Sequence, residues 1–126
     1  MARAVVLGES GGNPWRWRPE ARYRYLVDVR TGEPFRRLTA TENASETPPD
    51  DFSGVPGESR AAEWLGQQAS WGLMQVMGAV AREYGYRDSF TRLCDVSVGL
   101  QYGCKHLARL RDRHHHAHGW AGVLAA

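Results

Sequence analysis

Apolar positions open the chain as one short block, Ala4, Val5, Val6 and Leu7, and break at Glu9-Ser10-Gly11-Gly12-Asn13-Pro14. The block predicts a helix over residues 1–9 with Glu9 on its last turn, since Gly11, Gly12 and Pro14 cannot continue it. Its pattern is under way within a few residues of Met1, whereas helices commonly run about three turns, so upstream sequence is expected to be missing. The period then changes to two. Tyr23, Tyr25 and Val27 alternate with Arg22, Arg24 and Asp28, and Thr31-Gly32-Glu33-Pro34 precedes Phe35, which predicts a small hairpin. Residues 39–58 carry Pro48-Pro49-Asp50-Asp51 and Gly54-Val55-Pro56-Gly57, the marks of a long loop, either a functional lid or disordered.

Helical signals return with Ser59, an N-cap for a helix bearing Ala61, Ala62, Trp64 and Leu65 that ends near Gly66. A second helix is expected over 78–84, stopped by Gly85, and a helical turn over 89–94. The longest helix is predicted over 96–113. Val96, Leu100, Gly103, Cys104, Leu107 and Leu110 share one face of it, and Gln101, Lys105, Arg109, Arg111 and Arg113 fill the other. That helix is expected to be the central packing element, with Gly99 and Gly103 admitting a close neighbour such as the Glu9 segment. A further helix begins at Trp120 and runs to Ala126. Trp64, Trp71 and Trp120 read as core. The class is mainly α, in a single domain over residues 1–126 with a small β-hairpin and loop insertion.

Composition narrows the function classes. With 126 residues, 42% hydrophobic and 24% charged, the chain has the composition of an ordinary globular domain. A net charge of +2 is too weak to argue for nucleic acid, and no apolar run is long enough to span a membrane. No signal peptide is visible after Met1-Ala2-Arg3. Two cysteines, Cys94 and Cys104, fit neither a disulfide-rich scaffold nor a four-ligand zinc site, and both are expected to be buried thiols. On one helix they would lie about 15 Å apart along the axis, too far for a disulfide, so a bridge requires Cys94 to precede the helix. His114-His115-His116-Ala117-His118 reads as a solvated helix end favourable to the dipole rather than as a metal site.

Two stretches carry candidate chemistry. Glu9 faces outward over a core at the negative end of a helix, beside apolar neighbours, conditions that favour a carboxyl able to hold and donate a proton. In Ser70-Trp71-Gly72-Leu73-Met74-Gln75-Val76-Met77, Ser70 and Gly72 permit close backbone approach, while Met74 and Gln75 supply an adaptable apolar contact and an amide. An amide beside a carboxylic acid suits a sugar with N-acetyl groups. Trp15, Arg16, Trp17, Arg18, Arg22, Tyr23, Arg24, Tyr25 and Arg30 interleave aromatic with cationic groups, a pattern that can stack sugar rings or bases and bind anions, or form a half-buried strand.

Taken in order, Glu9 to Pro14, Ser70 to Met77 with Ala81 and Gly85, and Leu93-Cys94-Asp95 through Gly99-Leu100, Gly103 and Leu107 resemble the catalytic domain of lytic transglycosylases. The resemblance is to the soluble lytic transglycosylase group of the lysozyme-like superfamily, which also holds goose-type lysozymes. It implies a lysozyme-like helical fold and cleavage of the β-1,4 bond between N-acetylmuramic acid and N-acetylglucosamine in peptidoglycan, with closure of a 1,6-anhydro ring. Glu9 matches the family's catalytic acid, and Ser70, Gly72, Met74 and Gln75 match positions lining its sugar groove. No metal or other cofactor is implied. The expected partner is the peptidoglycan glycan strand, met by a monomer at the cell wall.

The chain also departs from the family pattern. Residues 15–69 form an insertion between the two motifs, expected to make a hairpin and lid over or beside the groove. Gly99 stands where the family commonly has Asn, and His106 where it has Tyr. Leu124-Ala125-Ala126 ends about where an Ala-Tyr-Asn segment would begin, so a fragment clipped at both ends is expected. Two alternatives stand beside the leading reading. One is a hydrolytic lysozyme in which Asp50, Asp51, Glu58 or Glu63 positions a water, about 6.5–9.5 Å from Glu9 as inverting glycosidases require. The other is a non-catalytic wall-binding or virion structural module.

Overall fold

Helix α1 spans Ala2–Ser10 and ends at Gly11, whose left-handed backbone (φ 64°) lets its N–H close on the Leu7 carbonyl at 3.2 Å. Ser10 is buried and donates its hydroxyl to the Val6 carbonyl at 3.0 Å, which fixes the exit of the helix. The computed structural model describes residues 1–125 and is mainly helical, about half of it in helix, with one small antiparallel sheet. The sheet has the order β1-β2-β3. Strand β1 (Trp17–Pro19) pairs with β2 (Ala69–Trp71), Trp17 opposite Trp71, and β2 pairs with β3 (Val76–Met77).

The remaining helices are α2 (Ala40–Asn43), α3 (Arg60–Gln67), α4 (Gly78–Glu83), a 3-10 turn over Phe90–Cys94, and α5 (Val96–Ala125). Ser59 caps α3 by accepting the Ala62 N–H at 3.0 Å, and Asp95 caps α5 through the N–H groups of Ser97 and Val98. Helix α5 does not stop at Arg113. It continues through the histidines and kinks at Gly119, whose φ of 59° no helix interior adopts. Ala126, the last residue expected in the terminal helix, lies outside the described residues.

Two clusters make the core. Met74, Val76, Ala81, Tyr86, Phe90 and Leu93 form the first, with Val5 and Val6 of α1 and Leu100 and Leu107 of α5 packed on it. Leu26, Phe52, Trp64 and Ala79 form the second, with Tyr23, Phe35 and Leu38 around them. The 15–69 insertion is therefore no detached lid. It supplies Leu26, Phe52 and Trp64 of the second cluster, where Phe35, Phe52 and Trp64 meet edge to face at ring separations of 5.2 and 5.1 Å. Between the clusters the carboxylate of Glu63 and the guanidinium of Arg82 pair at 2.8 Å, each 1% exposed.

Several local expectations need correction. The hairpin is reduced to one bridge, Val27 to Pro34, and Leu26 and Val27 are both buried while Tyr25 is exposed, so the alternation fails. The cause is Gln67, whose side-chain amide accepts from the Val27 N–H at 2.8 Å and donates to its carbonyl at 2.9 Å, replacing a neighbouring strand. The loop over 39–58 is tied down rather than free. Arg36 bridges Glu42 and Asp51, Thr39 and Glu42 form a capping box on α2, and the Trp64 indole donates to the Ser45 carbonyl at 3.0 Å. Helix α5 is not the central packing element: Gly99, Gly103 and Val123 are its buried residues, and Val96 and Cys104 are exposed. Cys104 is thus not the buried thiol expected, whereas Cys94 precedes α5 and is buried; both are free. Trp120 is 38% exposed and not core.

Candidate active site

Glu9 sits on the last turn of α1, exposed, at a groove of about 190 Å³ that runs between α1, the β2–β3 turn and α5. Met74 and Gln75 line the groove from the turn, Gly103, His106 and Leu107 from α5, and Val123 and Leu124 from beyond the Gly119 kink. The two motifs separated by the insertion therefore meet. Among the described residues, Glu9 is the one carboxylate lining this groove.

The turn that presents Met74 and Gln75 is locked from behind. Gly72 has φ 71°, and a Cβ there would lie 2.2 Å from the Leu93 carbonyl oxygen, so only glycine lets the turn lie on the 3-10 segment. Its N–H donates to the Arg16 carbonyl at 2.8 Å. Gln75 has a positive φ of 48° and donates its amide to the Arg16 carbonyl at 3.0 Å and the Gly72 carbonyl at 2.9 Å. The Ser70 hydroxyl donates to the Gln75 amide oxygen at 3.1 Å. Both halves of the Gln75 amide are therefore engaged inside the protein, and the side chain fixes the turn instead of offering a free amide.

Of the residues matched to a sugar groove, Met74 and Gln75 line it, while buried Ser70 and Gly72 lie behind it and hold its wall. Met74 reaches its place because a Cβ at position 103 would meet its Sδ at 2.4 Å, leaving Gly103 as the floor. The close neighbour admitted by Gly103 is thus Met74, and that admitted by Gly99 is the Leu93 carbonyl, rather than the Glu9 segment itself.

His106, a departure from the family pattern, is part of the groove. Its Nδ1 lies 3.1 Å from the Tyr84 hydroxyl, and burial holds its imidazole below the usual histidine range, with Arg109 acting in the same direction. Lys105 and Arg109 lie over the Tyr84 ring, and Arg109 pairs with Glu83 at 2.6 Å, which ties α5 to α4. The contribution of Val123 and Leu124 was not anticipated. The signal available was Gly119, the residue that lets the chain turn its last helical segment back toward the groove.

The candidate second carboxylates stand elsewhere. Glu63 is buried against Arg82, Asp51 is held by Arg36, Glu58 lines a separate hollow beside Trp15 and Trp17, and exposed Asp50 is not among the residues lining the Glu9 groove. The Arg36 guanidinium holds the Asp51 carboxyl below its usual range and Glu42 down at about 2. No residue of the 15–69 insertion is among those lining the Glu9 groove; the insertion holds its wall from behind, through the Arg16 carbonyl that accepts from Gln75. No helix among the described residues is long and apolar enough to cross a membrane.

Comparison of the chain with protein-family models, with curated proteins and with solved structures finds no match. The functional reading consequently rests on the groove and on the motifs that build it.

Proposed function

We propose that this chain has a lysozyme-like fold and is a lytic transglycosylase acting on peptidoglycan glycan strands. The observation that carries the proposal is the convergence of Glu9 with Met74 and Gln75 on one groove in which Glu9 is the one carboxylate among the described residues. A helix ending in the acid, a small sheet carrying the Gly72-Leu73-Met74-Gln75 turn and a long helix behind them support the fold reading.

In the reaction, the Glu9 carboxyl gives its proton to the glycosidic oxygen as the bond from that oxygen to the muramic C1 breaks. The N-acetylglucosamine side leaves with a free 4-hydroxyl. The substrate's own N-acetyl oxygen supports the cationic C1, which removes the need for a second enzyme carboxylate. The Glu9 carboxylate then takes the proton of the muramic 6-hydroxyl as its oxygen bonds to C1, closing the 1,6-anhydro ring without water. Glu9 is exposed in the free protein, so the glycan that covers the groove is what removes water from it.

Hydrolysis by an inverting mechanism is the weaker reading, because none of Asp50, Asp51, Glu58 and Glu63 is among the residues lining the Glu9 groove. The test is release of soluble muropeptides from purified peptidoglycan by the chain and by Glu9→Gln. Release by the first and a loss of about a hundredfold or more with the second is expected, since general acid catalysis contributes about that much. Equal release by both would overturn the assignment of Glu9.

A further inference from the structure

Apart from the residues lining the Glu9 groove, four planar groups lie one on another. The Trp17 ring stacks on Trp71 at 5.9 Å with 21° between planes, and Trp71 stacks on Phe90 at 5.8 Å with 14°. Beneath Phe90 lies the Arg82 guanidinium, 4.0 Å from the ring centre, itself held by buried Glu63. The Trp71 indole donates to the Gly66 carbonyl at 2.9 Å, and Phe90 occupies the space a Cβ on Gly66 would need, at 2.1 Å. The lower rungs are thus fixed by hydrogen bonding, packing and an ion pair. The top rung is open: Trp17 is 58% exposed and neighbouring Trp15 73% exposed.

The stack borders an open hollow of about 480 Å³ that shares no lining residue with the Glu9 groove. Leu65 continues its apolar wall, and Glu58, Ser89 and Thr91 supply polar groups at its edge. The indole N–H groups of Trp15 and Trp17 have no acceptor within the described residues, whereas those of Trp64 and Trp71 do. A core ladder needs no exposed top rung with a free donor. Large rigid apolar area exposed beside a few polar groups is the composition of a ligand site.

We infer that the Trp15–Trp17 face is a second carbohydrate site, which stacks an N-acetylated pyranose ring on Trp17 outside the Glu9 groove. The flat apolar face of such a sugar continues the stack, its acetamido and hydroxyl oxygens accept from the free indoles, and its hydroxyls donate to Glu58. An anionic lipid surface suits the exposed tryptophans and Arg16 but not Glu58 on the rim, nor a hollow rather than a protruding apolar tip. The choice of sugar rests on the wall-glycan reading above; the platform itself rests on the stack. Arg16 joins the two sites mechanically, since its carbonyl, between the two tryptophans, accepts the hydrogen bonds of Gly72 and Gln75.

The experiment is titration of the Glu9→Gln protein, in which no turnover interferes, with a soluble N-acetylglucosamine tetramer, followed by nitrogen-resolved NMR of the indole N–H signals. Saturable shifts of the Trp15 and Trp17 signals are expected. Trp17→Ala should weaken the binding reported by Trp15 by about two- to tenfold, the range of one aromatic stacking contact, while Trp17→Phe retains most of it. Leu65→Glu, which leaves the stack intact, should also weaken it and covers the case in which Trp17→Ala disturbs β1. Indole signals unmoved by the tetramer, or moved only by phosphatidylglycerol vesicles, would overturn the inference. Muropeptide release without indole shifts sinks this site alone, and indole shifts without release sink the proposed reaction alone.

Discussion

Arg82 grips Glu63 with two guanidinium nitrogens, each 2.8 Å from a carboxylate oxygen, and its third nitrogen donates to the carbonyls of Tyr86 and Asp88 at 2.9 Å. The pair joins α3 to α4 at the boundary of the two core clusters, and Gln67 adds a further hydrogen bond to Glu63 at 2.8 Å. Removing one partner leaves an uncompensated buried charge. Glu63→Leu or Arg82→Met alone should each cost about 3–5 kcal/mol, and the double replacement should recover a substantial part. Urea unfolding of the four proteins measures this; additive losses would show that the two groups do not depend on each other.

Glycine is required at two positions of the groove wall for different reasons, and the costs should differ. Gly72→Ala meets a backbone carbonyl and a positive φ together, so a loss of about 2–4 kcal/mol is expected. Gly103→Ala meets the Sδ, Cβ and Cγ of Met74 but no backbone atom, in an ordinary helical conformation, and should cost about 1–3 kcal/mol while displacing Met74 in the groove. Thermal unfolding ranks the two. A larger loss at Gly103 would contradict the packing described.

Acid should loosen the insertion before the rest of the domain. Glu42 and Asp51 both titrate below their ordinary values through Arg36, with Glu42 at about 2, so their contribution is complete above about pH 4.5 and disappears as pH falls toward 2. Amide exchange over residues 39–52 should accelerate across that window while the β2–β3 turn stays protected. Arg36→Ala should give the same acceleration at neutral pH. Equal exchange in the variant and the parent would refute the role of this cluster.

His106 imposes a separate pH dependence. Its folded form titrates below the ordinary value of 6.5, so the unfolded chain binds more protons just beneath that value, and stability falls as pH drops from 6.5 through the folded midpoint. His106→Gln should flatten this decline, read as the shift in urea midpoint between pH 7.5 and 5.5. An imidazole signal titrating above 6.5 in the folded protein would reverse the sign and contradict the burial of the ring.

The parts legible in the sequence were those set by local chemistry. Gly11 and Gly12 ended α1, Ser59 capped α3, Gly85 stopped α4, and the breakers around Gly72 set the turn beside Gln75. What escaped was decided at long range. Gln67 replaces a strand for Val27, Arg36 gathers two carboxylates from a segment that reads as free loop, and β1 forms at Trp17 because β2 offers it an edge. In the candidate site, Glu9, Met74 and Gln75 could be named from motif order. That Ser70 spends its hydroxyl on Gln75, and that Val123 closes the groove past the Gly119 kink, depends on contacts between residues 5 to about 115 positions apart.

The most direct test of the proposed reaction is mass spectrometry of the fragments released from purified peptidoglycan in heavy-oxygen water. The account predicts fragments ending in 1,6-anhydromuramic acid, one water lighter than the reducing sugar and free of heavy oxygen, because the muramic 6-hydroxyl closes the ring under Glu9 and water takes no part. Reducing ends carrying heavy oxygen would contradict it, placing a water where the groove holds no second carboxylate among the described residues to activate one.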